Sequence, residues 1–527
     1  MKRRWNKIWI GGGVIVLILA LLLVWEQKLS QSSATGTTTP ANETFTYAID
    51  GDPSSLNPIN TSDRWGLTVT NMMYSPLIRI ENDGMHKNEL ATSMNVSEDG
   101  KTLTVKLREG VKWSDGVPFT ADDVVFTYTE KAKKENGNAD NLWIGDKPIT
   151  ISKVDDHTVA FHLPEASAAA INNVATEIYI MPKHVYEKEP DLSVKELNAK
   201  PVGTGPYQLV EYKRGEYIRF RKNPTYYGGE PHIDEVTLRI ISNQNTMKVA
   251  LQKGEVDAAM VLPTDIEDLK QASLTLHPYS ENRIGYIGLN TRYPGLEDKK
   301  VRQALFYALN KDNMNKAAYL DPKFYQTPYS VLPPQNSFVA EDVEHYQTNP
   351  EKAKALLKEA GVSQLQLKLA YAASDPAQSI QSTFIQQQLK AIGVDVQLIG
   401  GDGTEISTEM RNPDSTKYSM FLNGYIMGDD PDLYRFLFHS EGSANYFKHY
   451  DQTTDQLFAQ GATELDTAKR HEIYDQLQKH LMDEAFIYPI VDNKKVLAVN
   501  KRITGIDDAK LISIYTLEDW SKLRIAD

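Results

Sequence analysis

Asp429 and Asp430 stand side by side between Gly428 and Pro431, and Asp122 and Asp123 form a second such pair. Two carboxylates can act as acid and base, and in glycoside cleavage their separation decides the outcome. In a chain with 70 acidic residues, neighbouring pairs also arise from composition alone, and no spatial separation can be read from them. No nucleophile signature accompanies them: the chain lacks a Gly-x-Ser-x-Gly elbow, a Gly-x-x-x-x-Gly-Lys-[Ser/Thr] loop and a His-Glu-x-x-His pair. Gly401-Asp402-Gly403 lacks the third glycine of a dinucleotide turn. The eleven histidines are scattered, and the chain has no cysteine, so disulfides and thiolate metal sites are excluded. We expect no catalytic residue, no metal and no cofactor.

The elements that would position any site follow from length and pattern. At 527 residues, with 41% hydrophobic and 24% charged side chains, the chain is an ordinary globular sequence long enough for two or more lobes. Its formal charge of -13 leaves no basic excess for phosphates, which argues against a nucleic-acid partner.

Lys2, Arg3, Arg4 and Lys7 precede an uncharged run of 18 residues, 8–25. At about 1.5 Å per residue such a run crosses a hydrocarbon core of roughly 30 Å. The basic cluster before it places the remainder of the chain outside the cell. The alternative is a cleaved secretory signal, for which Ser32 and Ala34 supply a small-x-small pattern. Residues 1–29 are therefore expected as a membrane anchor or signal, and the Ser/Thr-rich residues 30–44 as a flexible linker.

Beyond it, strand-like and helix-like stretches alternate, the pattern of a mixed α/β protein. Residues 101–107 alternate with Leu103, Val105 and Leu107 on one face, and Thr120 with Asp123 caps the helix that follows. Asn349-Pro350 opens a helix that stops at Gly361. A strand at 365–371, a helix presenting Ile380, Phe384, Ile385 and Leu389, and a strand at 394–398 make a βαβ unit.

Several phrases recur along this frame: Gly51-Asp52-Pro53-Ser54-Ser55-Leu56-Asn57-Pro58, then Leu107-Arg108-Glu109-Gly110-Val111-Lys112-Trp113-Ser114-Asp115-Gly116 with Phe119-Thr120-Ala121-Asp122-Asp123-Val124. Gly203-Thr204-Gly205-Pro206-Tyr207, Asn223-Pro224-Thr225-Tyr226-Tyr227, Val301-Arg302-Gln303-Ala304-Leu305 and Gly424-Tyr425-Ile426-Met427-Gly428-Asp429-Asp430-Pro431-Asp432 follow. Locally, Gly203, Gly205 and Pro206 permit a tight chain crossing, and Asp430-Pro431 is an ordinary cap and first turn for a helix at 431–438. In this order the phrases resemble those of the dipeptide/oligopeptide/nickel family of ABC solute-binding proteins, over about residues 45–527.

The resemblance implies an α/β, two-lobed, periplasmic-binding-protein-like (class II) fold with an extra subdomain inserted in the first lobe. The expected boundaries are 45–85 and 201–285 for lobe 1, 86–200 for the inserted subdomain, 286–490 for lobe 2, and 491–527 back in lobe 1, with crossings near 286–290 and 486–491. The implied function is an extracytoplasmic component of an ABC importer, on the outer face of the cytoplasmic membrane. As a monomer and not an enzyme, it would capture oligopeptides between its lobes and deliver them to the ABC permease. The alternatives are the same role for an oligosaccharide or a nickel chelate, and a cell-surface hydrolase or ligand sensor.

In peptide-binding relatives a Trp-rich strand before the Asp-Pro faces the ligand and an aspartate pairs with its α-ammonium. Here Tyr425 replaces the Trp and Met427 falls at the aspartate position, so Asp429 becomes the candidate substitute, against a helix-start charge as the bland reading. Asn423 and Tyr425 share a strand face by alternation and are expected to point to the cleft. Trp65 and Tyr74 are candidate cleft aromatics, against a simple core role.

Overall fold

Two strands of unusual length, Leu274–Leu289 and Ile487–Asn500, lie side by side and antiparallel, with 16 and 14 residues. At roughly 3.3 Å per residue each spans about 50 Å, twice the depth of an ordinary core. In the computed structural model, which describes residues 44–80, 86–136, 139–174, 178–194, 202–270 and 272–526, they are the middle of an 11-stranded mixed sheet. On one side the order runs outward through Ala258–Val261, Thr44–Ile49, Glu235–Ile240 and Tyr217–Lys222 to Tyr207–Lys213. On the other it runs through Met420–Ile426 and Leu365–Ala372 to Val394–Gly401, while Tyr325–Gln326 adds to Ile487–Asn500.

The apolar interior divides between the two ends of these strands. One cluster gathers Phe45, Tyr47, Phe220, Val236, Leu497 and Trp520; the other gathers Ile287, Phe306, Leu369, Phe421, Phe447 and Tyr488. The fold is two-lobed α/β, with Ile487–Asn500 contributing to both cores and Leu274–Leu289 to the second. A separate four-stranded antiparallel sheet, Ala91–Val96, Thr102–Leu107, Thr158–His162 and Thr150–Asp155 in that order, adjoins the first core. Helix Ala121–Lys131 covers it with the expected capping box of Thr120 and Asp123, and Tyr128 meets Phe161 edge-on at 4.7 Å.

Other local expectations hold. Helices Pro350–Glu359 and Pro376–Lys390 start on Asn349 and Asp375 caps, and the strands flanking the second helix pair in parallel, closing the βαβ unit. The chain returns over the first helix at Gly203, where a Cβ would stand 1.8 Å from Met73 O. The expected helix at 431–438 is a 3-10 turn, Pro431–Tyr434, followed by one α-turn, Arg435–Phe438. Among the described residues no helix is long and apolar enough to cross a membrane. The expected anchor or signal at 1–29 lies outside the described residues.

Candidate functional site

Where the long strands pass from one core to the other, their register slips: Ser280 faces Lys494, but Ile284 faces Asp492, so Leu274–Leu289 carries two extra residues. Such a bulge needs a residue that tolerates positive φ, and Asn282 supplies it at 57°. The bulge turns Glu281 and Arg283 out of the sheet toward different lobes. Glu281 meets Arg64 at 2.6 Å, from the first turn of helix Arg64–Met73, and Ser513 donates to its main-chain oxygen at 2.9 Å. Arg283 donates to Asn493 Oδ1 at 3.2 Å and lies across Gly424 and Gly285, where a Cβ would come within 2.3 and 3.4 Å of the guanidinium.

Lys495 completes the group. Its side chain is open to water, and among the described residues it has no carboxylate within ion-pair distance. Burial by the surrounding protein pulls its ammonium below the usual lysine range; Glu281 and Asp50 oppose that shift, while Arg64 and Arg283 reinforce it. Exposed to water yet crowded by protein, Lys495 marks the crevice between the cores that we take as the candidate site. Around it stand three cations, Arg64, Arg283 and Lys495, and two nearby carboxylates, Asp50 and Glu281. On the opposite face of the strands, Asp492 is fully buried and accepts two contacts from Ser280 Oγ at 2.9 and 2.8 Å, with Gln335 Nε2 donating to the same serine at 2.9 Å.

A row of main-chain groups borders this crevice. Asn290 N donates to Ser419 O at 2.9 Å, which sets the phase of the antiparallel ladder. Phe421, Asn423 and Tyr425 therefore bond to Leu274–Leu289, and the N–H and C=O groups of Leu422, Gly424 and Ile426 face the other edge. Leu365–Ala372 covers that edge only at Met420 and Phe421. Gly424 N–H donates at 2.8 Å to the side chain of its own neighbour, Asn423.

The residues singled out from sequence fall in different places. Trp65 is at the junction: its Nε1 donates to Asp50 Oδ1 at 2.6 Å and its ring lies edge-on to Tyr47. Tyr74 is in the core, 1% exposed, its hydroxyl 2.9 Å from that of Tyr186. Asn423 and Tyr425 do share a face, but it is the face turned to the second core. Tyr425 is buried against Tyr286 and Tyr434, and its hydroxyl donates to Val331 O. Because residues alternate, Gly424 and Ile426 take the crevice side instead. Asp429 is half-buried in the following loop, where its main-chain oxygen accepts from Asn336 Nδ2 at 2.9 Å. Asp430 caps the turn as expected and is clamped by Arg470 through bonds of 2.9 and 2.7 Å.

Arg64, Glu281, Arg283 and Lys495 were not anticipated. The available signal was charge inside apolar strand runs: Glu281 and Arg283 interrupt 274–289, and 492–495 interrupts 487–500. A groove of about 550 Å³ at the far edge of the sheet, lined by Gln366, Lys368, Gln386, Lys390 and Asp395, is built by one lobe alone.

The description of bacterial extracellular solute-binding proteins, family 5 (middle part), matches residues 86–447. Oligopeptide-binding protein AppA of Bacillus subtilis is 27% identical over 554 aligned residues, covering 99% of both chains. The crystal structure of the ABC transporter substrate binding protein CtaP of Listeria monocytogenes superposes with a TM-score of 0.89 and 36% identity, over 92% of this chain and 99% of its own. The structure of Bacillus subtilis AppA in complex with a nonapeptide gives 0.74 and 25%, over 92% and 99%.

Proposed function

Because the chain belongs to the bacterial extracellular solute-binding proteins of family 5, we propose that it captures oligopeptides in the crevice at Glu281–Arg283 and hands them unchanged to an ABC permease. The observation that carries this is the open edge of Met420–Ile426 beside a cluster of both charge signs. An extended peptide can add to such an edge through its main chain, which gives affinity independent of its side chains. Its charged termini then find opposite partners, the carboxylate at Lys495 and Arg283, the ammonium at Asp50 or Asp429.

Capture without chemistry is the reading that the relatives' printed names support. Closure follows from differential affinity: a ligand that touches both lobes binds the closed arrangement more tightly and shifts the population toward it. The apolar run at 8–25 is proposed as the tether that keeps a monomer beside its permease on the outer membrane face. The names of the relatives in sequence favour peptides, while nickel- and iron-chelate complexes stand among the structural neighbours. Mass spectrometry of what co-purifies with the full chain, followed by calorimetry with those peptides, tests the reading. We expect peptides and binding heat; a glycan or nickel chelate bound instead, with no heat from any peptide, would end it.

A further inference from the structure

Away from the crossing strands, the two cores touch again. Helix Ala168–Val174, whose Ala170 and Val174 belong to the first core, lies against helix Gln452–Thr463, whose Leu457 and Phe458 belong to the second. Asn172 Nδ2 donates to Asp430 Oδ2 at 2.8 Å, and Ser167 Oγ donates to Ala462 O at 3.3 Å. Leu465 extends to Gly100, where a Cβ would meet its Cδ1 at 2.8 Å and Ala166 Cβ at 3.1 Å. Asp430 and Arg470 are 5% and 3% exposed and lie on the same side of this contact, so their bidentate pair survives any separation. The Asn172 amide does not: it comes from the opposite body, and separation replaces it by water.

We propose that this contact is a clasp, in which Asn172, Ser167 and Leu465 hold the second-sheet segment to the opposite lobe and set the closed fraction of the molecule. The proposal rests on the capture reading, since it concerns the equilibrium that capture would bias. Geometry gives it leverage. The crossing strands act as the axis of any lobe rotation, and a contact off that axis must break for the lobes to part. Asn172 is thus a positioning residue: it touches no ligand, but it preloads the arrangement that binds one. A ligand's apparent dissociation constant scales inversely with the competent fraction, so a several-fold change in closed population appears as the same fold-change in affinity.

The chain has no cysteine, which makes site-directed spin labelling free of background. Labels at the exposed Lys106→Cys and Lys358→Cys, one on each body, report the distance between them by pulsed dipolar spectroscopy on the full chain without ligand. Asn172→Ala should move weight from the short to the long distance. Asn172→Asp, which sets a carboxylate against Asp430, should move more, and the thermal midpoints of both should stay near that of the parent. A purely local role in the helix would not order the two variants in this way. A parent without any short-distance population, or variants whose distributions match it, would overturn the clasp. Because no ligand enters the measurement, that failure is distinct from a failure to bind peptides.

Discussion

Lys495 is an ammonium held between two guanidinium groups, with its nearest carboxylates already engaged: Glu281 with Arg64, and Asp50 with Trp65. Such a charge is a poor contributor to the empty fold and a good one to an anion complex. Lys495→Met should therefore leave the ligand-free thermal midpoint unchanged or raised. It should weaken peptide binding by roughly ten- to a hundredfold in calorimetry, the range of a lost charge-assisted hydrogen bond. Equal affinity in the variant would remove Lys495 from the site.

A second lysine carries a pH dependence. Lys311 is 7% exposed, donates to Pro328 O at 3.0 Å and to Pro489 O at 3.2 Å, and lies 4.5 Å from the centres of the Tyr329 and Tyr488 rings. Burial pulls its ammonium down to about 7. Below that pH the lysine is protonated both folded and unfolded, and stability is indifferent to it. Above it the folded chain releases the proton while the unfolded chain keeps it, so stability rises with pH up to the unfolded lysine value. In urea titrations from pH 6 to 9, the parent should gain stability relative to Lys311→Met; a flat difference would contradict the assignment.

At the scale of elements, two glycines of similar appearance should behave differently. At Gly203 an added Cβ meets the Met73 carbonyl at 1.8 Å, a backbone atom that cannot step aside, so Gly203→Ala should lower the melting temperature sharply. At Gly424 it meets the Arg283 guanidinium at 2.3 Å, the free end of a long side chain. Gly424→Ala should melt close to the parent yet bind peptide more weakly, because Arg283 is displaced. Melting and calorimetry on the pair separate the roles, and a Gly424→Ala protein that binds normally would place the ligand elsewhere.

These elements also mark how far the sequence could be read. Periodicity and capping located the strand at Thr102–Leu107, the helix at Ala121–Lys131 and the βαβ unit, whose last strand runs three residues beyond its expected end, because those signals are local. Alternation put Asn423 and Tyr425 on one face, but alternation cannot say which face meets the core. That depends on Tyr286, which a strand distant in the chain brings against Tyr425, and on Tyr434 and Phe438 packed on the same ring. The bulge at Asn282 was equally hidden, since a register slip is a property of two strands and only one can be read at a time.

For the molecule as a whole, two cores would suggest two independent unfolding units, and the crossing strands argue against it. Leu276 and Tyr279 pair with Ala498 and Lys495 at one end, and Ile287 and Gly288 pair with Tyr488 and Ile487 at the other, within the same two strands. Neither core can lose its share without fraying the ladder that the other needs, so residues 45–527 should unfold in one cooperative calorimetric transition. A ligand bound across the junction stabilises both cores together. At a free concentration of about 100 times its dissociation constant it should add about 2.7 kcal/mol, moving the single peak upward without splitting it. Two resolved peaks, with only one of them shifted by peptide, would show that the lobes fold separately and that the ligand rests on one of them.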